Sequence, residues 1–397
     1  MTIEDIRNEF PQLSQKVYGK PLVYLDNAAT SLRPSSVTDC WNKMSLEYNS
    51  NIHRAVHYFS AKATECYENA RECVGDFIGA GSASEIVFTS GTTASINLVA
   101  RCFGEAFIGE GDVILVDDAS HHSNILPWQM LALRTGAKVV PFPVADDLSK
   151  YLTDRTKLVA VSHISNVLGI VNPVKKIVDR AHAAGVPVLV DGAQGIVHEE
   201  VDVKALGCDF YAFSGHKMYA APGTGVLYGK KELLDAMPPF MGGGEMIGTV
   251  RWSGSTYAPL PQKYEAGTQN FASVPTFIPA IDMVRRMRDP EILALQESIC
   301  SYMLEELSGI DGLRLYGEGG KRIPLFSFSV EGVHHEDLAL ILDKMGIAVR
   351  SGQMCAEPLM DKCGVTGMLR ASFAPYNTME EARYFTSSLR KAIKMLK

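Results

Sequence analysis

Between about residues 60 and 235 the chain alternates short apolar runs, rich in β-branched residues, with longer stretches of helical period. The runs are EIVFT (85–89), VILVD (113–117), KVVPF (138–142), LVAVSHI (158–164), VPVLVD (186–191), FYAFS (210–214) and GVLYG (225–229). Their near-continuous apolarity predicts strands covered on both faces, as in a parallel or mixed sheet with crossover helices. Helices are predicted over 94–104, 124–135 and 173–184, the last opened by Asn172-Pro173 and closed by Gly185. After Pro238-Pro239 the stretch 242–270, GGGEMIGTVRWSGSTYAPLPQKYEAGTQN, is too long for a plain connection and reads as functional or mobile. Beyond it come a helix over about 289–309, LRLYG, PLFSFSV, a helix over 335–345, IAVRS, MLRASFAP and a final helix. The expected architecture is therefore α/β, in two parts. A large domain (21–285) carries a mostly parallel seven-stranded sheet, a smaller C-terminal α+β domain spans 286–397, and an N-terminal segment (1–20) packs on the smaller domain.

Composition narrows the function classes. Of 397 residues, 46% are hydrophobic and 21% charged, an ordinary globular balance. A net charge of −7 provides no basic field for a phosphate backbone, which argues against nucleic acid as the main partner. Runs such as VILV and VPVLV are too short to span a bilayer, and MTIEDIRNEF lacks the regions of a signal peptide, so no membrane role and a cytoplasmic location are expected. Eight scattered cysteines form no CxxC pair and no zinc spacing, consistent with reduced thiols. Cys66 and Cys73, seven apart in a helical stretch, read as one buried helix face and not as a metal site.

Chemistry gathers at the strand ends. Asp191 closes VPVLVD, and Lys217 follows FYAFS within SGHK, so both belong to the carboxyl edge where open α/β sheets bind ligands. An amine and a carboxylate at one sheet edge, with Ser214 and His216 beside the amine, have the layout for a Schiff base to pyridoxal 5'-phosphate. The carboxylate would keep the pyridine nitrogen protonated so that the ring accepts carbanion electrons. A phosphate needs donors, and SGTTASINL (90–98) brings Ser90-Gly91-Thr92-Thr93 to a helix start. Neither GxGxxG nor GxxxxGK[ST] occurs, which counts against dinucleotide and nucleoside triphosphate sites. His121, in HHSN after another strand, is suited to lie on the pyridine ring. Asn166, in SHISNVLG, and Arg370, an arginine inside the apolar run MLRASFAP, suit a substrate carboxylate.

In this order DNAAT (26–30), HR (53–54), TSGTTASINL, HHSNILPWQM, SHISNVLG, VDGAQ, DFYAFSGHKMYAAPGTGVLYG, FMGGGEMI, YEAGTQN and RSGQMCAEPLM (350–360) resemble the class V aminotransferase-like cysteine desulfurases. Within these the chain is most similar to the Suf-type (group II) branch, from about residue 20 to the C-terminus. The resemblance implies a fold-type I homodimer that takes sulfur from L-cysteine and releases L-alanine. It implies that Lys217 holds pyridoxal phosphate, Asp191 pairs with the ring nitrogen, Gln194 faces the phenolic oxygen and His121 stacks on the ring. Thr92, Thr93, Ser214 and His216 would bind the phosphate, with Thr268 reaching it from the other subunit. Asn166 and Arg370 would hold the substrate carboxylate, and the 242–270 stretch would include a hairpin covering the neighbouring subunit's site. Cys355 would take the sulfur as a persulfide for a small acceptor protein and an iron–sulfur scaffold. Two positions depart from the pattern. Gln353 and Met354 stand where the Suf branch often has histidine, and Ser120 stands where many relatives carry an acidic residue.

Cys355 reads as a reagent and not as packing. A free thiol titrates near about 8.5, so it needs help to ionise at neutral pH. Arg350 would add positive potential, and Gly352 lets the loop bend. A selenocysteine lyase on the same scaffold, which depends less on an acceptor cysteine, and a weakly active sulfur-relay scaffold are the alternatives.

Overall fold

The computed structural model describes residues 2–397 and divides them into two compact units. The larger comprises 37–163 and 172–281; the smaller comprises residues up to 36, 164–171 and 282–397.

In the larger unit a 20-residue helix, α1 (Tyr58–Phe77), precedes a seven-stranded sheet. Its strands are β1 (Ile86–Thr89), β2 (Val113–Asp117), β3 (Lys138–Phe142), β4 (Thr156–Ser162), β5 (Val188–Asp191), β6 (Phe210–Ser214) and β7 (Gly225–Gly229), in spatial order β1-β7-β6-β5-β4-β2-β3. β7 alone runs against the direction of the other six strands. Registers Gly225↔Thr89, Gly225↔Ser214 and Ser162↔Asp191 bring the strand ends level, making one continuous carboxyl edge. The central strands are buried at every position of β5, β6 and β7, the burial their unbroken apolar runs imply.

The crossover helices obey simple local rules. Helix α4 (Val174–Ala183) buries Val174, Ile177, Val178 and Ala181, the 3–4 spacing of one helical face, and leaves its charged residues to solvent. Helix α3 (Leu126–Thr135) starts with Pro127 in its first turn and stops at Gly136, which takes the left-handed conformation that an L side chain disfavours. The expected 94–104 helix begins earlier, as α2 (Thr92–Val99), and then widens into a π-turn over Ala100–Gly104. Leu131 of α3 packs so closely on Gly104 that a Cβ there would lie 2.3 Å from its Cδ2. The expected strand 158–164 shifts to 156–162, because Asn172 Nδ2 takes the Ser162 carbonyl and turns the chain away. Helix α1 has a periodic face, but Ala63, Tyr67, Ala70, Arg71 and Val74 fill it. Cys66 and Cys73 flank that face half-buried, a correction to the expectation above.

The smaller unit is built on a four-stranded antiparallel sheet. Strands β10 (Leu313–Leu315), β11 (Leu325–Val330), β12 (Arg350–Gly352) and β13 (Met368–Ser372) lie in the order β10-β11-β13-β12, after the exposed hairpin β8 (Ile247–Arg251) and β9 (Gly254–Tyr257) of the larger unit. Helices α5 (Pro290–Ser308), α6 (His335–Lys344), α7 (Glu357–Cys363) and α8 (Met379–Leu396) complete it. The apolar faces of α5, α6 and α8 meet Phe326, Phe328, Leu369 and Ala371 of the sheet in one core. The N-terminal residues join this unit: Arg7 pairs with Glu381 at 3.0 Å, and Val23–Tyr24 pairs in parallel with Ile347–Ala348. Among the described residues no helix is long and apolar enough to cross a membrane.

Candidate active site

The carboxyl edge of the large sheet collects the residues its strand ends predict. Asp191, last in β5, is buried, and its Oδ1 accepts the Ala193 N–H at 3.0 Å. Burial raises its pKa; the Ala193 N–H and the positive charge of Lys217 pull the other way. Lys217 ends a single 3₁₀ turn after β6 and is half-buried. The turn Gly192-Ala193-Gln194-Gly195 is moulded onto two side chains, His163 and Tyr211, which share a 2.9 Å hydrogen bond. A Cβ at Gly192 would fall 2.0 Å from the Tyr211 ring, and one at Gly195 2.4 Å from His163 Nδ1, so both positions require glycine. Gln194 is buried within this turn.

The phosphate-cradle candidates also converge. Ser214 Oγ accepts the Thr92 N–H at 2.8 Å and meets the Thr92 hydroxyl at 2.8 Å, at the first turn of α2. Beside them a Cβ at Gly225 would lie 2.3 Å from Gly91 Cα, so β7 and the cradle loop touch backbone to backbone. Thr93 and Ser123 share a 2.7 Å hydroxyl contact that ties the cradle to the histidine turn. His121 Nδ1 accepts the Ser123 N–H at 3.0 Å, which leaves Nε2 to carry the proton of the neutral ring. His216 sits half-buried between Ser214 and Lys217, and Thr268 is exposed three residues beyond Glu265.

Sequence reasoning missed the support beneath His121. Asp117, fully enclosed at the end of β2, accepts the Ser120 hydroxyl at 2.7 Å, the Ser162 N–H at 2.7 Å and the Ala119 N–H at 3.1 Å. Burial pushes its pKa up to about 6 against the pull of those donors. Asn124 continues the chain: its Nδ2 donates to Ser120 Oγ at 3.3 Å, and its Oδ1 accepts from Trp128 Nε1 at 3.0 Å. Ser120, at the position that departs from the pattern, thus donates its hydroxyl to a buried carboxylate, that of Asp117. The signal was a charge closing the apolar run VILVD.

In the smaller unit a second cluster forms. Arg370, on β13 and 2% exposed, donates through Nη1 to the Asn166 carbonyl at 2.8 Å and through Nη2 to Asp26 Oδ1 at 3.1 Å. Arg350, half-exposed on the neighbouring strand, lies 3.8 Å from the other Asp26 oxygen. Burial outweighs the pairing on both sides, lowering the Arg370 pKa and raising that of Asp26. Arg370 Nε is buried without a hydrogen-bond partner, a costly state. Asn166 Nδ2 donates to the Met354 carbonyl at 2.9 Å, and Cys355, the next residue, is exposed.

A pyridine bearing phosphate and aldehyde fits the residues of the larger unit. They offer a buried carboxylate under the influence of one lysine, a hydroxyl and N–H cradle cleared of Cβ atoms by Gly91 and Gly225, and an imidazole of fixed tautomer on the adjoining turn.

Comparison with known proteins agrees with this composition. Residues 23–385 match the family model described as aminotransferase class-V. The chain is 44% identical to a probable cysteine desulfurase of Vibrio cholerae, covering all of both chains. It is 46% identical to a cysteine desulfurase of Yersinia pseudotuberculosis, over 99% of each. The crystal structure of the cysteine desulfurase CsdA, in an S-sulfonic acid form, from Escherichia coli superimposes with a TM-score of 0.91 at 39% identity, covering both chains completely.

Proposed function

The chain belongs to the class-V aminotransferase family, with the fold-type I architecture of pyridoxal-phosphate-dependent cysteine desulfurases; from that premise we propose that it moves the sulfur of L-cysteine onto Cys355 as a persulfide and releases L-alanine. The observation that carries this reading is the pairing of a substrate-ready clamp with a presented thiol. A buried arginine that donates to the Asn166 carbonyl and an asparagine whose amide contacts the residue before Cys355 belong to one cluster.

When bound, the cofactor supplies an electron sink for a carbanion at the substrate Cα. Lys217 would hold it covalently and, once released, take the α-proton. Asp191 would face the ring nitrogen, which favours its protonated form, and Gln194 the phenolic oxygen. Thr92, Thr93, Ser214 and His216 would hold the phosphate, joined by Thr268 of a second copy in a homodimer. His121, with its proton on Nε2, would lie over the ring and pass protons to or from the reacting thiols. Asn166 and Arg370 would take the substrate carboxylate, and Arg350 would add positive potential near the Cys355 turn.

The Cys355 thiolate attacks the substrate sulfur. The S–S bond forms as the Cβ–S bond breaks, the electron pair left on Cβ is taken up by a proton, and return of the α-proton to Cα by Lys217 would complete alanine. A persulfide on an exposed turn is open to a small acceptor protein, which supports a Suf-type role in cytoplasmic iron–sulfur cluster assembly. The test is Cys355→Ala: it should retain the absorbance of bound cofactor and lose cysteine-dependent persulfide and sulfide production. Undiminished desulfuration by that variant overturns the assignment.

A further inference from the structure

We propose that Asn166 is a positioning residue for the nucleophile, setting the backbone conformation of the turn that presents Cys355. The inference rests on the reading of Cys355 as the sulfur acceptor.

The turn between β12 and α7 has an unusual backbone. Met354 has φ +53° and Cys355 φ +55°, two consecutive side-chain-bearing residues in the left-handed region. Gly352, just before them, has φ +104°. Non-glycine residues adopt such angles only where their surroundings over-determine them. The surroundings here are specific. The Met354 side chain is buried while Cys355 points out between it and buried Ala356. The Ala356 N–H closes the turn on the Gln353 carbonyl at 3.0 Å, and Gln353 Nε2 donates to Glu357 Oε1 at 3.0 Å. The central carbonyl, that of Met354, is held by Asn166 Nδ2.

Asn166 is itself well anchored. Its carbonyl accepts from Arg370, and its loop is fastened by Ser327 Oγ to the Val167 carbonyl at 2.6 Å and by the Ile164↔Val171 bridge. The turn therefore hangs from a rigid support through one buried amide. An amide nitrogen carries two hydrogens. One serves Met354, and the second is the one a substrate carboxylate would use. A single side chain then registers the thiol against the carboxyl end of the substrate.

Hydrogen exchange on the resting holoenzyme, without cysteine and at pH 8, reads the tether directly. In Asn166→Ala the backbone amides of the peptide spanning 353–357 should exchange about fivefold faster, the factor expected for loss of one ordinary hydrogen bond. Asn166→Asp, which keeps the volume and donates nothing when ionised, should do the same. Wild-type cofactor absorbance in both variants reports that they are folded. At saturating cysteine, the single-turnover rate of persulfide formation on Cys355 should fall in both, beyond any rise in KM. Unchanged exchange of the turn in both folded variants overturns the proposal, because a residue that only binds the carboxylate would leave the substrate-free turn as it was. Absence of persulfide on Cys355 in the wild type would instead overturn the parent reading, since the exchange measurement uses no substrate.

Discussion

Asp117 shows how one buried carboxylate can brace a functional turn. Three donors converge on it, one of them the hydroxyl of Ser120, the residue before His121. Its pKa of about 6 lies above that of an aspartate in an unfolded chain, about 4. The native state thus binds a proton there more readily than the unfolded state does. The contribution of Asp117 to stability accordingly declines as pH rises through that interval and is level above it. Asp117→Asn does not titrate, so its stability relative to wild type should improve by about 2 kcal/mol between pH 4 and pH 7. Urea unfolding of both proteins at the two pH values measures this, and a difference that stays constant contradicts it.

At the scale of elements, the carboxyl edge works because strands end level and glycines let them approach. Gly225→Ala places a Cβ against the backbone of Gly91, with no flexible side chain to give way. This substitution should lower cofactor affinity at least tenfold through displacement of the Thr92–Ser214 cradle, at a stability cost of about 1–3 kcal/mol for overpacking. Titration with pyridoxal phosphate followed by absorbance checks it; wild-type affinity would show that the cradle does not depend on this contact. The same edge explains what was legible in the sequence. Seven apolar runs announced the sheet, and Asp191, Ser214 and Lys217 followed from where the runs stop. Asn166 and Arg370 drew attention as an amide after an apolar run and a charge inside one. Contacts made by folding alone were hidden: Asn166 and Met354 lie 188 positions apart, and no local pattern links them. The π-turn at Ala100–Gly104 was equally invisible, and Leu131, which packs on Gly104, comes from another helix. Cys66 and Cys73 share a helical period but flank the buried stripe, since period alone does not give the phase of a face.

At the scale of the whole molecule, long-range ties fix what flanks the candidate site. Glu265, which precedes the Ala266-Gly267-Thr268 segment, accepts two hydrogen bonds from buried Arg71, at 2.6 and 2.8 Å. It also takes the Phe88 N–H at 2.7 Å and the Tyr67 hydroxyl at 3.1 Å. One carboxylate thereby joins α1, β1 and the loop that carries Thr268. Glu265→Ala strips the buried Arg71 guanidinium of its buried carboxylate and leaves Glu68, 2.8 Å from Nε, as its ion-pair partner. It should cost about 3 kcal/mol in urea unfolding, and a loss below about 1 kcal/mol would show that Glu68 and water replace the carboxylate. In the chemistry proposed above, sulfur leaves cysteine for Cys355 and the carbon skeleton leaves as alanine. Mass spectrometry of the holoenzyme after one turnover of L-cysteine, with amino-acid analysis of the same sample, tests it most directly. One added sulfur on the Cys355 peptide and one equivalent of alanine are expected. Pyruvate and ammonia in place of alanine, or alanine formed with no sulfur on Cys355, would contradict it.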